Sequence, residues 1–304
     1  MTSPDGGDGR PQGEGTSMRS QLTIVFGLAL AGVLSAQSLP ASVDTPQQPR
    51  PYIYREIDGQ ELNAYVFLPP DQDVQKQTSA VLLFLGGAWV MGSADWTFEA
   101  ARRFAALGMV AVSVDYRLSQ GKTTPIEAVD DTRAAFRWVR RHAAEFHIDP
   151  KRVAGYGVSA GGQLAAVAAM IDFPGDGIDD RSSKPDLLLL WCPALRAPTD
   201  LLQGRASASD YSPMEHAGAA TPPTSIVNGD KDTVTPLPDA QDFRDRVVQA
   251  GGICELHVYR GVGHLLTRNV ANQLSNFDPD PQFRADGIAQ FERFLRERGY
   301  ISVK

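Results

Sequence analysis

The chain predicts an α/β domain around a mostly parallel sheet of about eight strands, with helices on both faces and no large cap domain. Short apolar runs recur along it, and several are apolar throughout, as strands covered on both faces must be. Amphipathic helical stretches alternate with these runs, the order of repeated βαβ units. No repeat of fixed period and no second domain is visible, and 304 residues suffice for a substantial single core.

The elements follow in chain order. Residues 1–36 are expected to lie outside the domain. Residues 1–17, rich in Gly, Asp, Ser and Pro, predict a disordered start. Met18-Arg19-Ser20, the apolar run Leu22 to Leu34 and the small-residue segment Ser35-Ala36-Gln37 predict a secretory signal peptide, with Met18 a candidate start. The run is short for a bilayer span, so export without stable membrane insertion is expected after cleavage. Residues 37–50 read as a polar linker and 51–304 as the folded domain.

Asp58-Gly59, between the alternating runs Tyr52 to Ile57 and Leu62 to Leu68, predicts a hairpin that supplies antiparallel edge strands. Ala80 to Leu85 and Val110 to Val114 are continuous apolar strands, separated by a helix from Phe98 to Leu107 that stops at Gly108. Pro125 to Ala144 predicts a long amphipathic helix with Val129, Phe136, Val139 and Ala143 on its apolar stripe. Asp130, Arg133, Arg137 and Arg140 are expected on its solvated face. Asp149-Pro150 marks a loop into a short strand ending at Val153-Ala154, and Gln163 to Met170 reads as an Ala-rich helix. Leu187 to Trp191, Ser225 to Val227 and Glu255 to Tyr259 complete the strands. The last helices are predicted over Asp239 to Ala250 and Phe283 to Arg298, and residues 193–223 read as an irregular insertion near the site.

Between a strand and a helix, Gly157-Val158-Ser159-Ala160-Gly161 fits the G-x-S-x-G pattern. There a tight turn lifts the serine out of the sheet and its flanking residues must be small. Free N–H groups at the start of the next helix face the same space. A serine hydroxyl needs a base to take its proton and a carboxylate to orient that base. Of the five histidines, His142 lies on a charged helix, His147 in a loop, His216 in the insertion and His257 on an exposed strand face. His264 follows the last strand in the flexible turn Gly261-Val262-Gly263, from which it can reach Ser159. Asp232, in the loop after Ser225 to Val227, is the predicted acid, and nearby Asp230 is read as a turn former. The order Ser159, Asp232, His264 is the Ser, Asp, His order of α/β-hydrolases.

Composition excludes other classes. A formal charge of −7 with no basic stripe argues against a nucleic-acid partner. Cys192 and Cys254 are too few for a disulfide framework and read as buried free thiols. No metal-ligand spacing and no phosphate loop appears, so neither metal nor cofactor is expected.

The motifs resemble a carbohydrate-esterase branch of the α/β-hydrolases: acetyl-xylan-esterase-like and feruloyl-esterase-like proteins, close to the hormone-sensitive-lipase group. The resemblance covers about residues 50–300. It rests on Leu85-Gly86-Gly87-Ala88-Trp89, Asp115-Tyr116-Arg117-Leu118, Asp149-Pro150-Lys151-Arg152-Val153, the serine motif through Gly162, Gly229 to Pro236, and Gly261 to His264. It implies the α/β-hydrolase fold and a serine carboxylesterase acting on short acyl groups, acetyl foremost, of a small-molecule or carbohydrate ester. It also implies that Gly87, Ala88 and Ala160 donate N–H groups to the oxyanion. Phe98, Trp89 and Tyr211 are candidates to line the acyl or sugar pocket. The family usually has His at the position of Leu85, where it supports the oxyanion loop. The rival readings are a peptidase of the prolyl-oligopeptidase type and a binding protein that keeps the scaffold without catalysis.

Overall fold

The structure, a computed structural model, describes residues 48–173 and 182–302. The predicted disordered start, the signal peptide and most of the linker lie outside the described residues. Arg50–Ile57 (β1) and Gln60–Phe67 (β2) form the antiparallel hairpin, which turns through Asp58 at φ 52 and Gly59 at φ 76. β2 continues antiparallel onto Val110–Val114 (β4). Thr78–Phe84 (β3), Ile148–Val158 (β5), Leu187–Trp191 (β6), Thr224–Gly229 (β7) and Cys254–Tyr259 (β8) join it as a parallel set. The sheet order is β1-β2-β4-β3-β5-β6-β7-β8. The fold reading is borne out, including the antiparallel edge.

Side chains alternate across a strand, so a run apolar throughout must be covered twice. Leu82 and Phe84 of β3 pack in one core with Phe136 of Pro125–Arg141 (α2), Leu164 of Ala160–Met170 (α3) and Phe243 of Leu237–Gln249 (α4). Val81 and Leu83 pack in a second core with Phe104 of Phe98–Ala106 (α1) and Phe294 of Pro281–Glu297 (α5). Between β6 and β7, the turns Thr199–Leu202, Ser209–Tyr211 and Pro213–His216 make up the irregular insertion. No described helix is long and apolar enough to cross a membrane.

Two local expectations fail. Asp149 and Pro150 belong to β5, whose pairing with β3 shifts register between Thr78 and Ala80; the strand is long and irregular where a loop and a short strand were predicted. The polar face of α2 is largely covered, not solvated. Asp131 is fully buried and pairs with Arg55 and Arg117, each at 2.8 Å. Arg133 is buried with its guanidinium 4.3 Å from the Phe173 ring centroid. Arg140 donates to the carbonyls of Pro150 and Ser182 and pairs with Asp186. Edge strand β1 and the segment before β6 cover this face, and helical periodicity cannot foresee such distant cover.

Candidate active site

β5 runs directly into α3 through Ser159, whose φ of 51 and ψ of −115 are sterically disfavoured for a residue with a Cβ. Such a conformation costs roughly 1–3 kcal/mol and persists only where its surroundings impose it. Here Ser159 N donates to Trp191 O at 2.9 Å, and Gly162 N and Ala194 N each donate to Ser159 O at 3.0 Å. The flanking glycines answer to crowding. A Cβ on Gly161 would lie 2.2 Å from Phe84 O, and one on Gly157 would lie 2.3 Å from Gly161 O.

Ser159 Oγ donates to His264 Nε2 at 3.0 Å, and His264 Nδ1 donates to Asp232 Oδ2 at 2.8 Å. The second bond fixes the tautomer that leaves Nε2 free to accept a proton. All three residues are buried. Asp232 Oδ1 accepts from Val234 N at 2.9 Å and Thr235 N at 2.7 Å. The Thr235 hydroxyl lies 2.8 Å from Asp232 Oδ2 and 3.1 Å from both Cys192 O and His264 Nδ1. It carries one proton, and the shorter contact favours donation to the carboxylate. Gln273 ties the acid loop to the base loop: its Oε1 accepts from His264 N at 2.8 Å and Thr233 N at 3.2 Å, while Nε2 donates to Lys231 O.

Gly87, Ala88 and Trp89 are consecutive left-handed residues, at φ 116, 51 and 63. A Cβ on Gly87 would meet Met91 O at 2.1 Å, and one on neighbouring Gly86 would lie 3.3 Å from Ser159 Cβ, so the loop passes beside the serine. Gly87 O accepts from Val90 and Met91, but the Gly87 and Ala88 N–H groups meet no acceptor among the described residues. Ala160, the first residue of α3, has no intrahelical acceptor for its N–H.

Leu85 is buried and supports the loop by packing; a Cβ on Gly92 would lie 2.3 Å from Leu85 Cδ1. Three hydrogen-bonding ties add to it. Tyr116 Oη donates to Leu85 O at 3.1 Å, Ser119 N donates to Trp89 O at 2.7 Å, and Trp89 Nε1 donates to Gln163 Oε1 at 3.1 Å. Gln163, fully buried on α3, in turn donates to Tyr211 O at 2.8 Å. Gln163, Thr235 and Gln273 were not predicted. Thr235 lies inside a motif read for its aspartate, and the sequence around Gln273 carries no signal.

The other expected residues fall as follows. Asp230 Oδ1 accepts from Gly261 N, a turn contact as predicted. Phe98 packs against Tyr65 and Phe67, partly buried against the second core. His142 packs with its ring tilted against Trp138, the centroids 4.3 Å apart, and His216 bonds Ser209 O within the insertion. His257 is partly buried beside Glu255, not exposed, and burial holds its pKa below the usual imidazole range. Cys192, Asp232 and His264 are grouped closely enough to consider a metal ion. The donor chemistry fits poorly. Burial pushes the Cys192 thiol well above its ordinary range, and the aspartate and histidine atoms already bond each other. Burial also pushes the Cys254 thiol up to about 12.

The profile of the alpha/beta hydrolase fold matches residues 81–217, which hold the Gly86–Trp89 loop and the Ser159 turn. Thermogutta terrifontis esterase 2, in a structure phosphoramylated by tabun, aligns with a TM-score of 0.76 and 30% identity, over 85% of this chain and 98% of that chain. The chain belongs to the α/β-hydrolase family. This α/β-hydrolase is also 34% identical over 183 residues to carboxylesterase NlhH of Mycobacterium tuberculosis, over 57% of this chain and 54% of that protein. An arylesterase of Saccharolobus solfataricus is 39% identical over 93 residues, 30% of each chain. The chain thus spans about half or less of the length of these two curated relatives.

Proposed function

We propose that this α/β-hydrolase is a serine carboxylesterase that cleaves short acyl esters, acetyl esters on carbohydrate foremost, through an acyl-enzyme. The unbroken line from Ser159 Oγ through His264 to Asp232, set beside N–H groups without acceptors, carries the reading. In the first half, His264 Nε2 takes the Ser159 proton as Oγ attacks the ester carbonyl, and then returns it to the leaving alcohol. In the second half, water loses its proton to Nε2 and attacks the acyl-enzyme, which releases the acid and restores Ser159. Gly87, Ala88 and Ala160 N–H groups bind the oxyanion in both halves; loss of one such donor typically costs about a hundredfold to a thousandfold in rate.

Several relatives bear esterase names, and Thermogutta terrifontis esterase 2 has structures with butyrate bound and with the enzyme phosphorylated by paraoxon. These names support ester cleavage at a serine of this kind and a small acyl group. The preference for carbohydrate rests on proposed export, read from residues 18–37, and on an insertion with no large cap among the described residues. Residues 51–304 are proposed as the exported domain.

The full chain and Ser159→Ala, assayed on p-nitrophenyl acetate, butyrate and octanoate and on acetylated xylan, test this. Acetate turnover should exceed octanoate turnover and fall by about 10⁴-fold or more in the variant, with acetate released from xylan. Equal turnover by the variant would refute a serine esterase, and inert xylan would refute the carbohydrate preference. N-terminal sequencing of protein recovered outside the cell should find residues 18–36 removed, and finding them intact would refute cleavage.

A further inference from the structure

On the sheet face covered by α1 and α5 lies a cavity of about 280 Å³. Phe104, Tyr156, Val158, Trp191, Leu265 and Phe291 supply apolar walls, while Ser159 and His264 are not among its lining residues. Val158 and Leu265, their chain neighbours, are. The cavity therefore adjoins the two reacting residues through their chain neighbours and is not lined by them.

Four charged residues also line it, paired across the two helices: Glu99 with Arg284 at 2.9 Å and Arg103 with Glu292 at 3.5 Å. Glu99, Arg103 and Arg284 are largely exposed, so these pairs form a weakly held rim. Tyr156 packs edge-on to Phe104 and Phe291, and its hydroxyl has no hydrogen-bond partner among the described residues. A phenol that lines a cavity can donate to a polar atom of a ligand there. Arg284 and Tyr156 both line the cavity.

We propose that this cavity binds a medium-chain aliphatic carboxylate at a site separate from Ser159. The tail occupies the apolar walls. The carboxylate replaces Glu99 on Arg284, whose guanidinium suits a carboxylate, and accepts from the Tyr156 hydroxyl. The size agrees: a cavity of about 150 Å³ admits benzene, so about twice that volume holds a chain of roughly six to eight carbons. This assignment does not depend on the esterase reading.

Calorimetric titration with sodium octanoate and with octan-1-ol tests it on four forms of the full chain. These are the native protein, protein treated with paraoxon to cap Ser159, Arg284→Gln and Ala100→Phe, in which the new ring fills the cavity from α1. Octanoate should bind native and capped protein equally. Arg284→Gln should weaken octanoate about tenfold and leave octanol unchanged, as loss of one charge-assisted contact predicts. Ala100→Phe, with its fold checked by circular dichroism, should lose both ligands. Failure of octanoate to bind, loss of binding on capping, or equal binding by both variants would overturn the proposal. Failure of paraoxon to label Ser159 would count against the esterase reading alone, and the two variants would still decide the cavity.

Discussion

The serine side of the site and its acid–base side are held by different forces. Around Gly157–Gly162 and Gly86–Gly92 the backbone is fixed by crowding: main-chain atoms approach so closely that a Cβ would overlap a carbonyl at Gly87, Gly157 or Gly161. Around Asp232, Thr235, His264 and Gln273 the loops are fixed by side-chain hydrogen bonds, several of which cross between segments distant in the chain. Crowding is all-or-none, since interiors are close-packed and a misplaced methyl has nowhere to go. Hydrogen bonds are lost one at a time, each with a modest net effect. Substitutions should therefore fail abruptly on one side and by degrees on the other.

The largest effect is expected from Gly161→Ala, whose methyl would press on Phe84 O and Leu85 O. It should lower stability by about 4 kcal/mol or more and abolish turnover, measured by urea unfolding and p-nitrophenyl acetate hydrolysis. A folded, active Gly161→Ala would break the comparison. Thr235→Val removes the hydroxyl from Asp232 Oδ2 and keeps the shape. It should reduce kcat/KM about tenfold to a hundredfold with little change in Tm. Gln163→Leu cuts the tie from Trp89 to Tyr211. It should lower kcat about tenfold and leave KM unchanged, because the loop it steadies is proposed to act in the transition state. An equal rise in KM would instead mean that Gln163 only shapes ground-state binding.

The smallest effect lies away from the chemistry. Glu127 caps α2 at Thr124 and pairs with Arg205 of the insertion at 2.6 Å. Burial opposes its charge, but the bonds from Arg205 and Thr124 outweigh that and hold its carboxyl at about 2. A folded pKa below the unfolded value, about 4.3, contributes stability that is present above the unfolded pKa and lost as pH falls toward 2. Glu127→Gln should therefore lower Tm by about 2–4 °C at pH 7, after discounting for the exposed arginine. That difference should vanish between about pH 4.5 and 2, with turnover at pH 7 untouched.

The same contrast explains what could be read before the structure. The glycines around Ser159 and the continuous runs of β3, β4 and β6 leave marks in sequence because crowding and double-sided burial restrict residue type at each position. Ser159, Asp232 and His264 were singled out by type and by place after strands, and the structure brings them within hydrogen-bonding distance. Thr235 and Gln273 leave no such mark, because their partners are set by loop paths that local sequence does not reveal. Arg133 and Arg140 misled because periodicity tells which side of α2 is polar but not that β1 and the segment before β6 would cover it. Leu85 shows the same limit, as packing and Tyr116 support a loop for which a histidine was expected.

The most direct measurement is to trap the acyl-enzyme. The full chain is mixed with p-nitrophenyl acetate, quenched in acid within the first turnovers, digested and analysed by mass spectrometry. One acetyl group on the peptide that carries Ser159, absent in Ser159→Ala and accumulating as an early burst of p-nitrophenol, is the result predicted for serine covalent catalysis. Sustained hydrolysis with Ser159 unmodified, or acetyl on another residue at the rate of turnover, would contradict it.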